Sequence, residues 1–113
     1  MNINRMPFDG FEVHLVAELP DTDGSTFCET VDTPAEYENA KEEAIGWLFT
    51  VYGHRTWPEN SDLTEDGYGT TAITDFVTEP GALQRAHDQA LDLAYALAAG
   101  RDIVEDCTPG IEL

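Results

Sequence analysis

TPAEYENAKEEAIGWLFTVYG, residues 33–53, is the stretch on which the arrangement of the whole chain turns. Thr33 is suited to cap a helix, Pro34 fits the first helical position, and Glu36 completes a T-x-x-E capping box. Apolar residues follow at Tyr37, Ala40, Ala44, Trp47, Leu48 and Val51, in the steps of three and four that mark one helix face. Gly53 is a natural stop. The spacing therefore predicts a single helix across the stretch. Its other face carries Glu36, Glu38, Asn39, Glu42 and Glu43, with Lys41 as the only cation. Glu38 and Glu42 lie one turn apart, and like charges so placed destabilise a helix by roughly 0.2–0.5 kcal/mol. Folding alone does not ask for that arrangement. The face reads either as a solvated surface or as a surface that binds something positive.

Upstream, FEVHLVAEL (residues 11–19) alternates, with Phe11, Val13, Leu15, Ala17 and Leu19 on one side and Glu12, His14, Val16 and Glu18 on the other, as a half-buried strand does. Pro20 to Ser25 makes a turn, and Thr26 to Asp32 predicts a second strand that closes a hairpin. Phe27 and Val31 mark its core side, which leaves Glu29 between them, a placement that an edge position would relieve. Residues 1–10 read as an N-terminal extension. Downstream, residues 54–67 form a long segment without periodicity, carrying Glu59, Asp62, Glu65 and Asp66 around Trp57; loops of this length are often functional. Tyr68 to Val77 predicts a third strand, with either face able to be the buried one. Thr78-Glu-Pro-Gly opens a second helix, capped by Thr78 and running to about Ala99, with an apolar stripe of Leu83, Ala86, Ala90, Leu93, Ala94 and Leu97. Ile103–Val104 suits an edge strand or a docked tail. The whole reads as one α+β domain, a small antiparallel sheet of three to four strands packed by two helices on one face, in the order β-β-α-β-α.

Charge is the unusual property. The 113 residues contain 23 acids and 5 bases, a net charge of −18. Hydrophobic residues make up 42% of the chain, so this is a folded protein rather than a disordered acidic tail. The acids run along its full length, so the folded surface itself must be negative. Nucleic acid and anionic membranes would be repelled, and the expected partners are basic surfaces or cations. No run approaches the roughly 20 apolar residues of a membrane span. The N-terminus lacks the apolar core of a signal peptide, and the expected location is the cytoplasm, with Cys28 and Cys107 reduced.

Chemistry finds little local support. His14, His54 and His87 are far apart, and neither H-E-x-x-H nor C-x-x-C is present, so no metal site or cofactor is expected. His14 and His87 read as ordinary surface or boundary residues, with His54 slightly better placed in the long loop. Asp21-Thr-Asp23-Gly24 departs from the calcium-loop pattern at its glycine and its last ligand, and reads as a turn. No phosphate-binding glycine motif occurs. No catalytic residue is assigned.

What remains is the anionic surface. Residues four apart on a helix are separated by about 6 Å of rise, of the same order as the roughly 3.4 Å charge spacing along one DNA strand. Glu36, Glu38, Glu42 and Glu43, with Trp57, Glu59, Asp62, Glu65 and Asp66, form the candidate binding set, with Trp57 as an aromatic anchor. In size and charge the chain resembles the small acidic inhibitors that phages and mobile elements direct against restriction and CRISPR effectors, a resemblance of composition. It implies a polyanion decoy, monomeric or homodimeric, that occupies the nucleic-acid channel of a basic protein or nucleoprotein complex without touching nucleic acid itself. The other readings are a halophilic domain whose charge serves solubility, and an acidic adaptor in a protein complex.

Overall fold

The computed structural model describes residues 8–56 and 68–113. Five strands and two helices follow one another: β1 (Gly10–Pro20), β2 (Thr26–Val31), α1 (Pro34–Lys41), β3 (Gly46–Thr56), β4 (Tyr68–Thr78), α2 (Leu83–Ala98) and β5 (Val104–Asp106). The antiparallel sheet has the order β2-β1-β3-β4, and short β5 pairs in parallel with β1. β2 and β5 share one edge of β1: β2 covers residues 15–20 and β5 covers residues 11–13. The α+β class follows the sequence reading, and the order β-β-α-β-α matches roughly, with β3 added between α1 and β4 and β5 at the end.

β1 forms where the alternation places it. Phe11, Val13, Leu15, Ala17 and Leu19 are all buried, facing the helices. Its hairpin partner β2 is an edge strand, so Glu29 keeps its carboxylate in water although Val31 beside it is buried. Phe27, which the pattern places in the core, is 44% exposed at the turn end of the hairpin.

The main correction concerns residues 33–53. The Thr33 cap forms as expected: Thr33 Oγ1 accepts from the Glu36 N–H at 3.1 Å, and it donates to Glu36 Oε1 at 3.2 Å. The helix nevertheless ends at Lys41, and Gly46–Thr56 is a strand. The Ile45 N–H already bonds Glu18 O at 2.9 Å, so the chain joins the sheet there. The reason lies in the run GWLFTVY, which is aromatic and β-branched and is flanked by partners on both sides. Trp47, Phe49 and Val51 point into the core, and Leu48, Thr50 and Tyr52 point to the opposite face. Leu48 and Tyr52 keep the run apolar on the second face as well, and periodicity cannot separate an unbroken apolar run from a helix. Of the expected stripe, Tyr37 alone is buried within α1 itself, its ring 5.2 Å from that of Trp47.

β4 explains why its sequence favoured neither face. The pairing with β3 shifts between Val51 and Tyr52, so that Val51 faces Thr74 while Tyr52 faces Ala72. Ile73 is the extra residue of this bulge, and Ile73 and Phe76, three apart, both pack against the core.

α2 follows a single 3-10 turn, Pro80–Ala82, and has no side-chain cap; the Thr78 hydroxyl bonds Glu79 O instead of the helix. Leu83, Ala86, Ala90, Ala94 and Ala98 are buried against the sheet, whereas Leu97 is 39% exposed. The fourfold step from Ala90 through Ala94 continues to Ala98 rather than to Leu97. Ala99 at φ 53° and Gly100 at φ 87° end the helix in the left-handed region. The segment before β1 belongs partly to the fold. Phe8 packs 5.5 Å from Phe11, and its ring occupies the space where a Cβ on Gly53 would stand.

Candidate functional site

The acids of the first helix converge with those of the edge strand. Between Asp21 and Glu43 lie eight acids (Asp21, Asp23, Glu29, Asp32, Glu36, Glu38, Glu42 and Glu43) and one base, Lys41. All eight acids are exposed. Glu36, Asn39 and Glu43 of the helical segment and Glu29 of β2 line a shallow groove of about 190 Å³ floored by Leu19, Val31 and Ala40. The structure thus brings Glu36 and Glu43 together and adds Glu29, which the sequence reading left out of the site. Glu38 lies outside the groove and holds Lys41 at 3.5 Å, where the ammonium also sits 5.3 Å from the Tyr37 ring centre. Glu42 caps the C-terminal end of α1 with its backbone N–H on Ala40 O. Trp57, Glu59, Asp62, Glu65 and Asp66 lie outside the described residues. His54, assigned by sequence to the long loop, stands within β3.

Two apolar side chains border this acidic side. Ile45, between α1 and β3, is 61% exposed, and Phe27 projects from the helix side of β2. The Asp23 carboxyl at the hairpin turn is held below its ordinary value by hydrogen bonds from the Ser25 side chain and backbone.

The face of the sheet turned away from the helices carries a second cluster, from residues that the sequence reading treated as ordinary. Glu12 and His14 are two apart on β1 and so share this face. One Glu12 oxygen lies 3.0 Å from His14 Nε2, and the other lies 3.0 Å from His54 Nε2 on β3. Cys107, just past β5, donates its thiol to Glu12 Oε1 at 3.6 Å. His14 Nδ1 faces Asp32 at 3.4 Å, and its ring meets that of Tyr52 edge-on at 5.3 Å. Burial, with Glu105 and Glu12 nearby, pushes the Cys107 thiol up to about 12. Burial and the Asp75 carboxylate push the Tyr52 phenol up as well. Asp75 in turn accepts from the buried Thr50 hydroxyl at 2.7 Å. Both cysteines are free.

The third histidine sits on the helix side, with His87 Nε2 2.7 Å from Asp106 Oδ2 and its ring 5.3 Å from that of Phe49. Burial raises the Asp106 carboxyl, but the hydrogen bonds from Thr108 and His87 outweigh it and the net direction is down. This pair ties α2 to β5. Spacing shows only that Glu12 and His14 share a face of β1; Asp32, His54 and Cys107 reach that pair from other segments, and His87 meets Asp106 from helix to strand.

Among the described residues no helix is long and apolar enough to cross a membrane. No family model, no curated protein and no solved structure matches this chain.

Proposed function

We propose that the protein is an acidic decoy, whose β2–α1 side occupies a basic nucleic-acid-binding surface on a larger protein. The support is the concentration of eight exposed acids and one base in the 23 residues from Asp21 to Glu43, three of which, Glu29, Glu36 and Glu43, line one groove between β2 and α1. Lysine and arginine side chains of a nucleic-acid channel would meet Glu29, Glu36 and Glu43 around the groove. Binding would release the counterions condensed on both surfaces, and the field would steer the encounter. Ile45 and Phe27 supply the apolar contact that a purely charged patch lacks. In this reading the partner is a nucleic-acid-handling effector of the restriction or CRISPR kind, and the protein carries no reaction of its own.

The test is a pull-down from host lysate at low and at high ionic strength, with excess duplex DNA as competitor. A nucleic-acid-binding complex should be retained at low salt and released by both salt and DNA. The variant with Glu36, Glu38, Glu42 and Glu43 changed to Gln should lose that partner while keeping its thermal unfolding midpoint within a few degrees. Recovery of no such complex under either condition, or capture unaffected by the four changes, would reject the reading. Unfolding of the wild-type chain on dilution into millimolar salt would instead favour a halophilic domain whose charge serves solvation.

A further inference from the structure

We infer that Glu12, His14 and Cys107 form a zinc-class metal site, with His54 holding the second Glu12 oxygen, that clips β5 and the central strands together on the open face of the sheet. Ligand atoms of Glu12, His14 and Cys107 all lie within 4.8 Å of one another, and the three side chains are half-buried. His54 meets the second Glu12 oxygen at 3.0 Å. A tetrahedral zinc ion with bonds of about 2.0–2.3 Å separates its ligands by roughly 3.3–3.8 Å. The His14–Glu12 and Cys107–Glu12 separations of 3.0 and 3.6 Å bracket the lower part of that range. Small outward movements of the side chains would admit the ion. An imidazole, a carboxylate and a thiol are a donor set that selects zinc-class metals over magnesium or calcium.

The surroundings are built as metal sites are. Asp32 faces His14 Nδ1 at 3.4 Å, and a carboxylate in that position orients the ring of a metal-binding histidine whose Nε2 is the ligand atom. Gly10 stands opposite His54 in the pairing, and a Cβ there would lie 2.6 Å from the imidazole Cε1. The glycine therefore makes the cradle in which the His54 ring lies over β1. The site spans β1, β3 and the tail after β5, a strand of three residues that pairs with β1 alone. A metal here adds a cross-link where the sheet has fewest hydrogen bonds.

The competing account is a proton: His14 as an imidazolium bridging Glu12 and Asp32. The experiment uses the full chain carrying Cys28→Ser, so that Cys107 is the one thiol, with Zn²⁺ followed by calorimetry and Co²⁺ by absorption. The expected result is one-to-one Zn²⁺ binding that millimolar Mg²⁺ does not displace, a thiolate-to-cobalt charge-transfer band, and a higher unfolding midpoint with Zn²⁺. Cys107→Ser should abolish the band, and Asp32→Asn should weaken Zn²⁺ by about 10–100-fold, with circular dichroism showing each variant folded. Where His14→Gln remains folded, it should weaken Zn²⁺ at least as much as Asp32→Asn. Absence of the charge-transfer band, affinity unchanged by Cys107→Ser, or multiple weak sites displaced equally by Mg²⁺ would overturn the inference in favour of the imidazolium or of diffuse counterions.

Discussion

Thr33 shows how far one residue carries local structure here. Its hydroxyl satisfies the Glu36 N–H, a donor that no turn of α1 can reach. Thr33→Ala should lower stability by about 1 kcal/mol, read as a shift in the urea midpoint with an unchanged slope. A change in slope would mean that the helix had been lost rather than frayed. Glu12 illustrates the opposite case. In sequence it is one more acid among 23 on the outward side of a strand. In space its two oxygens are shared among two histidines and a thiol. Its identity was legible and its role was not, since that role depends on residues 42 and 95 positions away.

Among the elements, α2 is the one whose packing follows most directly from composition. Its buried line after Leu83 is entirely alanine. Small side chains let the helix axis approach the sheet closely, which leaves no space for larger ones. Ala90→Leu should therefore destabilise by roughly 1–3 kcal/mol through overpacking, whereas Leu97→Ala, on the partly exposed side, should cost much less. Paired thermal unfolding measurements check this; equal losses at the two positions would mean that α2 sits further from the sheet. The stripe was readable because Leu83, Ala86, Ala90 and Ala94 repeat with helical period. Its last member was not, because Leu97 and Ala98 both fit the pattern and the sheet accommodates the smaller. Ile73 and Phe76 of β4 were ambiguous for another reason, since a bulge changes the face to which alternation assigns each residue.

For the whole molecule, a net charge of −18 on one small domain is a standing repulsion. Five bases against 23 acids can offset only a small part of it; Lys41 meets Glu38, and His14, His54 and His87 meet carboxylates. Added salt screens charges separated by more than about 10 Å at 0.1 M. The unfolding midpoint should rise steadily with sodium chloride, and the four Glu→Gln changes on α1 and its end should flatten that rise. A midpoint indifferent to salt would mean that the carboxylates are too far apart to repel one another appreciably. The acids of the β2–α1 edge then have a double character: they oppose compactness in the free protein, and a cationic partner would relieve them.

The sequence by itself determined the α+β class, the β1–β2 hairpin, the capped start of α1, the C-terminal end of α2 and the negative charge. All of these rest on local spacing, caps, turns or composition, which act over a few residues. Only the tertiary structure decided that GWLFTVY is a strand, because its neighbours β1 and β4 supply the hydrogen bonds and cover that turn a helix-compatible apolar run into the centre of a sheet. The same pairing drew Glu12, His14, His54 and Cys107 onto one face. Strand register is a long-range property, and no pattern along the chain encodes which distant side chains it makes into neighbours.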